Sequence, residues 1–183
     1  MVRFMIVGLA VVASLSACNA EQKNQSQHDP SLQTFVAHLQ PTAGNDGKQG
    51  YIQFQQGVSH VVVHAHIEGL PANSSHGFHV HEYGDCSAAD ATSAGGHFNP
   101  EHMNHGAPEH TERHIGDLGN VQSNDQGIAE LEVTDKLLAM NGEHSILGRA
   151  VVIHAQADDL TSQPVGNAGA RLLCGVIGVA KAP

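Results

Sequence analysis

Two histidine pairs with the spacing His-x-His lie close together in the stretch HAHIEGLPANSSHGFHVH, residues 64–81. The first pair is His64 and His66, and the second is His79 and His81. In a β-strand, positions i and i+2 point to the same face about 7 Å apart, so each pair could offer two imidazoles to one metal ion. The spacing alone does not tell which pair binds a metal, or whether both do.

The residues that follow the two pairs differ. A Gly-Leu-Pro turn follows the first pair, whereas a loop rich in metal-binding side chains follows the second: His97, His102, His105, His110, His114 and Asp117. Imidazole suits copper and zinc, and a carboxylate is compatible with zinc. The second pair and the loop together therefore predict a metal site, although any single loop histidine could be a solvated side chain.

Composition and charge narrow the class of protein. The chain has 183 residues, 40% of them hydrophobic but only 4% aromatic, so aliphatic side chains must build the core, which suits a β-rich domain. The formal charge is −10, which argues against nucleic-acid binding because that function needs a basic face. An anionic substrate would need a local basic site to override this field.

Short alternating runs separated by turn signals predict an all-β fold. Strands are expected near residues 34–40, 51–56, 60–67, 77–82, 128–133, 150–154 and 175–180. This length and spacing predict an antiparallel β-sandwich or flattened barrel of immunoglobulin-like architecture. Residues 83–120 and 155–173 interrupt the strands as two long loops, and long loops in a compact domain are usually functional or disordered.

The first residues, MVRFMIVGLAVVASLSACNA, indicate an export signal. Their apolar run is too short and too early to be a convincing transmembrane helix. The run ends in LSAC, which resembles the pattern at the lipidated cysteine of bacterial lipoproteins. We expect a signal peptide over residues 1–17, lipid on Cys18, a flexible tether over 18–32 and one domain over 33–183. An ordinary secretory signal cut near Ala20 is the alternative.

The cysteine count agrees with the lipoprotein interpretation. Three cysteines in an exported chain leave one unpaired, unless Cys18 carries lipid. Cys86 and Cys174 then remain as one pair, which an oxidising compartment allows to close. The alternative is two buried free thiols.

Four stretches together resemble the copper/zinc superoxide dismutase family: GFHVHEYGD, AGGHFNP, RHIGDLGN and GNAGARLLCGVIGVA. They occur in the family's order at compatible spacing, and the resemblance covers about residues 34–182. It implies a Greek-key β-sandwich with two functional loops, and the dismutation of superoxide to dioxygen and hydrogen peroxide with copper and zinc as cofactors.

The resemblance also implies roles for single residues. Copper would be held by His79, His81, His97 and His154, and a structural zinc by His97, His105, His114 and Asp117. His97 would thus bridge both metals and pass a proton while copper cycles between redox states. Arg171 would stand over the copper and draw in superoxide. Asp158 would link His79 to His105 and fix their ring orientation, and a Cys86–Cys174 disulfide would hold the Arg171 segment.

Several histidines have no ligand counterpart in the family. His64 and His66 are expected on the outward face of their strand, although a second metal site there stays open. Also expected to be non-ligands are His28, His60, His76, His102, His110 and His144.

Three apolar or glycine-containing stretches bear on the oligomeric state. The stretches YGD, SILGR and GVIGVA resemble the patch through which eukaryotic members dimerise, so a homodimer is favoured over packing of these residues within the fold.

The lipid implies the bacterial envelope, in the periplasm, and Asn19 after Cys18 favours the outer membrane. A metal-buffering module and a relative that has lost copper are the alternatives. Arg171 argues against the first, and four histidines at the copper positions argue against the second.

Overall fold

The computed structural model describes residues 33–181. The predicted signal peptide, the lipidation site Cys18, the tether and His28 lie outside these residues. Within residues 33–181, no helix is long and apolar enough to cross a membrane.

Nine strands and one short 3₁₀ turn make up the regular structure of the described residues. The strands are β1 (Thr34–Pro41), β2 (Gln49–Gln56), β3 (Val61–Glu68), β4 (Ser75–His81), β5 (Asp117–Gln122), β6 (Ala129–Asp135), β7 (Ala150–His154), β8 (Arg171–Val176) and β9 (Gly178–Val179). The 3₁₀ turn spans Thr92–Ala94 in the loop between β4 and β5.

The strands form one antiparallel sheet in the order β5-β4-β7-β8-β1-β2-β3-β6, with β9 paired to β1. The connections from β3 to β4 and from β6 to β7 join strands that are not neighbours, as in a Greek key. The two end strands, β5 and β6, contact each other, so the sheet curls into a nearly closed barrel. The prediction of an all-β Greek-key fold with two long loops is confirmed.

The structure differs from the prediction at β5, which was not predicted, and at β8 and β9, which replace the single strand expected at residues 175–180. β5 begins inside the predicted loop 83–120, and β8 begins inside the predicted loop 155–173. The sequence of β5, DLGNVQ, combines an acid, a glycine and an amide and lacks apolar alternation. β8, RLLCGV, has four consecutive buried residues, so it also lacks alternation. The strand predicted at 175–180 is instead the end of β8 followed by β9, because Ile177 hydrogen-bonds with Arg149 and Gly148.

Burial along the strands determines where each histidine pair lies. β3 alternates between fully buried and half-buried residues, so His64 and His66 lie on the outer face, as expected. In β4, Phe78 and Val80 enter the hydrophobic core, and the next positions, His79 and His81, point to the opposite face. That face is also buried, because the long loops cover it. The fold thus separates two similar motifs into an outer pair and a covered pair.

Candidate metal centre

Four histidines from two neighbouring strands and one loop converge under the loops. They are His79 and His81 of β4, His154 at the end of β7, and His97 of the β4–β5 loop, and all four are buried. One donor atom from each lies within 4.8 Å of the others. Gly77 makes room for the cluster, since a Cβ atom there would lie 2.7 Å from Ala168 and 3.1 Å from the His79 ring.

Hydrogen bonds to backbone carbonyls define the tautomers of two of these histidines. His81 Nδ1 donates to the Gly95 carbonyl at 3.0 Å, and His154 Nδ1 donates to the Gly169 carbonyl at 3.1 Å. A carbonyl oxygen can only accept, so in the neutral rings both Nε2 atoms carry lone pairs. These two Nε2 atoms lie 3.3 Å apart. They are therefore placed to share a cation.

Asp158 defines the tautomers of two further histidines. Its two carboxylate oxygens accept hydrogen bonds from His79 Nε2 at 2.8 Å and His105 Nε2 at 2.9 Å. The Nδ1 atoms of both neutral rings then carry lone pairs, and neither makes a hydrogen bond although both are buried. The Asp117 oxygen that lies 3.0 Å from His105 Nδ1 is an acceptor as well, so it cannot satisfy this nitrogen. His97 Nε2 is the third such atom among the described residues. Buried polar atoms without partners are costly, so these three nitrogens fit metal ions as their missing partners.

A second buried cluster adjoins the first and shares His97 with it. Asp117 Oδ1 lies 2.8 Å from His97 Nδ1, 3.0 Å from His105 Nδ1 and 3.1 Å from His114 Nδ1. Asp117 Oδ2 accepts backbone hydrogen bonds from Gly106 and His114 at 3.1 and 3.0 Å, which fixes the carboxylate. Three imidazoles and one carboxylate form a donor set that suits zinc.

Burial keeps the imidazoles of the first cluster neutral. Desolvation lowers the pKa of His97 to about 4 and that of His154 to about 3. It also lowers the pKa of His79 and, more strongly, that of His81. Metal ions bind the deprotonated nitrogen, so at neutral pH these rings need not lose a proton first.

Arg171 lies directly beside the first cluster, because it is the β8 partner of His154 in the strand register. Its guanidinium donates to the carbonyls of Ala91 and Gly95, at 2.5 and 2.6 Å. The Gly95 carbonyl also accepts from His81, so one peptide group orients both the cation and a histidine. Arg171 remains half-buried, so part of it stays accessible to solvent.

The Cys86–Cys174 disulfide, with a Cα–Cα distance of 5.8 Å, ties the loop that supplies these carbonyls to β8. The predicted pairing is confirmed. Cys174 packs in a small apolar cluster under the loop, with Ala91, Ala94, Ala150 and Val152. The covalent link therefore holds the Ala91–Gly95 segment beside Arg171.

The first His-x-His pair belongs to neither cluster. His64 Nδ1 lies 3.3 Å from Glu132, and both His66 nitrogens contact carboxylates, those of Glu68 and Glu130 at 3.0 and 3.2 Å. His60, His102, His110 and His144 also lie outside the two clusters.

Sequence reasoning missed two residues that support the site. The buried His76 donates from Nδ1 to the His154 carbonyl at 2.8 Å, and its Nε2 accepts from Ser74 Oγ at 2.7 Å. The Asn120 side chain pairs with the backbone N–H and C=O of Asp158, at 2.7 and 2.9 Å. No local motif marks either role, because His154 lies 78 residues from His76 and Asp158 lies 38 residues from Asn120.

Arg113 is buried inside the protein, with only 2% of its surface exposed. It donates to the carbonyls of Pro108, His114 and Ile115 and forms an ion pair with Asp135 at the end of β6. This arginine therefore ties the loop that carries His114 to the barrel and cannot attract a substrate from solvent.

The fold and the site together define a class of protein. A Greek-key barrel with two buried clusters that share one imidazole is built to hold two transition-metal ions side by side. The family model described as copper/zinc superoxide dismutase matches residues 48–177, and the chain belongs to this family.

Individual relatives agree with the family. The superoxide dismutase [Cu-Zn] of Cryptococcus neoformans var. grubii is 49% identical over 125 residues, which cover 65% of this chain and 80% of the relative. The extracellular superoxide dismutase [Cu-Zn] of Drosophila melanogaster is 37% identical over 188 residues, covering 98% and 99%. A crystal structure of the clock protein EA4 superposes with a TM-score of 0.75 at 40% identity, covering 81% of this chain and 96% of that one.

These findings place the chain among the oxidoreductases that use copper and zinc to act on superoxide. Some of the relatives are extracellular enzymes, from Caenorhabditis elegans and Drosophila melanogaster.

The buried ion pair of Arg113 generates a stability prediction. Replacing Arg113 with Met should lower the free energy of unfolding by about 3–5 kcal/mol, because Asp135 would be left buried without its cation. Lys136→Met is the matched control, since Lys136 is an exposed cation next to Asp135. Urea unfolding of the metal-free domain measures both variants. Unfolding free energies within about 0.5 kcal/mol of each other would show that the pair does not stabilise the fold.

Proposed function

We propose that the two buried clusters divide the metals of this superoxide dismutase between them. Copper would be held by His79, His81, His97 and His154, and zinc by His97, His105, His114 and Asp117. Four neutral imidazoles suit copper, whereas three imidazoles and a carboxylate suit a closed zinc site. The observation that carries this assignment is the three buried nitrogens without partners, of His79, His97 and His105, which lie in these two clusters.

The net reaction converts two superoxide ions and two protons into dioxygen and hydrogen peroxide. Bound copper supplies one-electron redox chemistry, and bound zinc supplies a fixed positive charge. Arg171 attracts the anion and holds it beside His154 and His81. Its guanidinium keeps its charge at any relevant pH and offers several donors to an oxygen anion.

His97 and Asp158 handle proton position and ring orientation. His97 Nε2 has no partner in the protein, so it can take up a proton and deliver it to the forming peroxide. His97 Nδ1, on the other side of the ring, stays beside Asp117. Asp158 holds the rings of His79 and His105 so that both Nδ1 lone pairs face the metals.

The enzyme would act in a bacterial cell envelope and protect it from superoxide. We propose that residues 1–17 are a lipoprotein signal peptide, that Cys18 carries the lipid, that 18–32 are a tether and that 33–183 are the enzyme domain. Two observations support export: disulfides are typical of oxidising compartments, and some relatives are extracellular. The LSAC motif and Asn19 favour attachment to the outer membrane, facing the periplasm.

A homodimer would use an exposed apolar patch formed by Tyr83, Leu147 and Val176. These side chains are 57%, 41% and 43% exposed. Their segments adjoin, since a Cβ atom on Gly84 would lie 1.8 Å from the Gly148 carbonyl and 3.2 Å from Val176. Apolar side chains with an aromatic residue are typical of an interface core, and one patch shared by two copies suits two-fold symmetry.

Metal content and activity test the ligand assignment. His79→Gln should remove most of the bound copper and most of the superoxide decay rate of the copper- and zinc-loaded domain. The double variant H64Q/H66Q is the control, since it removes two histidines with the same spacing from the outer face, and it should keep both. A loss of copper in both variants would refute the assignment. Full metal content without superoxide decay in the unaltered domain would favour metal buffering.

Lipidation is tested by expressing the full chain in a Gram-negative host. The mature protein should sediment with the outer membrane and carry a diacylglycerol mass on Cys18. Cys18→Ser should abolish the lipid, whereas N19D should keep the lipid but shift the protein to the inner membrane. Recovery of soluble, unmodified protein that begins near Ala20 would establish the ordinary secretory signal instead.

The dimer patch is tested by sedimentation of the mature domain. The unaltered domain should sediment with the mass of two chains, and V176E should sediment as one chain because a charge would be buried in the interface. Val58→Glu is the control, since Val58 is fully exposed in the β2–β3 turn. A single-chain mass for the unaltered domain at high concentration would contradict the proposal.

A further inference from the structure

The side-chain amide of Gln163 binds both backbone polar groups of His105. The His105 N–H donates to Gln163 Oε1 at 2.8 Å, and Gln163 Nε2 donates to the His105 carbonyl at 2.9 Å. His105 lies in the β4–β5 loop, where no strand partner fixes its backbone. One amide, 58 residues away in sequence, therefore orients the peptide groups on both sides of this histidine.

Three residues after Gln163, the chain passes directly over the side chain of the same histidine. A Cβ atom on Gly166 would lie 1.9 Å from Asp158 Oδ1 and 2.6 Å from His105 Nε2. Gly166 also has a φ of +65°, a left-handed conformation that favours glycine. Its N–H donates to Ser162 at 2.7 Å, and its carbonyl accepts from Asp159 at 2.9 Å, which closes the turn on itself.

These contacts hold His105 at its backbone and at one ring nitrogen. Gln163 fixes the backbone, Asp158 accepts from Nε2, and Gly166 packs over that hydrogen bond. The ring nitrogen that remains is Nδ1, which belongs to the second cluster. Groups that fix the orientation of a metal-binding histidine commonly change metal affinity 10- to 100-fold when removed.

We propose that Gln163 and Gly166 are positioning residues for zinc, and that they form a clip that aims His105 Nδ1 at the metal. The proposal rests on the proposed zinc ligand set. Gln163 is itself exposed, so water competes for its hydrogen bonds and their net contribution to folding is small. The clip should therefore change zinc binding much more than it changes the stability of the metal-free domain.

The experiment compares two glutamines of the same loop in the mature domain with both metals bound. Gln163→Met keeps the length of the side chain but removes both hydrogen bonds to His105, together with a longer one of 3.3 Å to the Thr161 carbonyl. Gln156→Met is the matched control, since Gln156 is exposed and is bound through its backbone, to Gly77 and Ala168. A zinc chelator in competition gives zinc affinity, cobalt in the zinc site gives a ligand-field spectrum, and heating the metal-free forms gives stability.

Gln163→Met should weaken zinc binding by about 10-fold and change the cobalt spectrum, while Gln156→Met keeps both at the unaltered values. The metal-free Gln163→Met domain should melt with the unaltered one. Gly166→Ala should weaken zinc binding further, because its methyl group would displace Asp158 or His105. Unaltered zinc affinity and an unaltered cobalt spectrum in Gln163→Met would overturn the clip. So would an equal loss of zinc affinity in both glutamine variants, or a loss of metal-free stability in Gln163→Met as large as its loss of zinc-binding free energy.

One further variant separates the clip from the ligand assignment on which it rests. His105→Gln should lose zinc almost completely if His105 is a ligand. If His105→Gln keeps zinc, the proposed ligand set is wrong. If His105→Gln loses zinc and Gln163→Met does not, the ligand set stands and the clip alone is refuted.

Discussion

One buried carboxylate, that of Asp158, joins the two histidine clusters. Each of its oxygens accepts from one ring, His79 in the first cluster and His105 in the second. Hydrogen bonds are stronger in a buried, low-dielectric setting, so this bridge fixes two tautomers and two ring orientations together. The side chain of Asn120 and the N–H of Leu160 hold Asp158 itself. β5 and the loop between β7 and β8 must therefore both be in place before either cluster has its final shape.

The barrel makes this arrangement possible because β4 is covered on both faces, by the hydrophobic core on one side and by the long loops on the other. A strand alternates between faces, so β4 can contribute Phe78 and Val80 to the core and His79 and His81 to the opposite side. Burying so many polar side chains is costly unless they are paired. Among the described residues, the buried side-chain nitrogen and oxygen atoms that make no hydrogen bond are three histidine nitrogens, all in the two clusters. The buried nitrogens that lack a hydrogen bond thus lie where a bound metal ion could be their partner.

How far the sequence predicts this structure depends on the range of each interaction. The pairs in HVH and HAH, and the strands around them, follow from local alternation, and the family motifs locate the other cluster members. β5 was missed because Gly119 and Asn120 break the alternation, yet Asn120 is there to bind Asp158. His76, Asn120 and Gln163 act on partners more than 35 residues away, with no local pattern to reveal them. The outer position of His64 and His66 was predictable, but their glutamate partners on β6 were not.

Two arginines, Arg113 and Arg171, show how the partner of a charge decides its role. Arg113 is paired with the carboxylate of Asp135, so its charge is neutralised within the protein. Arg171 donates its hydrogen bonds to neutral carbonyls, which orient the guanidinium without cancelling its charge. In a chain with a formal charge of −10 and no lysine between residues 155 and 170, this cation must act locally. At physiological salt its field extends only about 8 Å. In the proposed role of Arg171, its position beside His154 would therefore matter more than the overall charge, and the disulfide that holds the carbonyls in place would support substrate recognition.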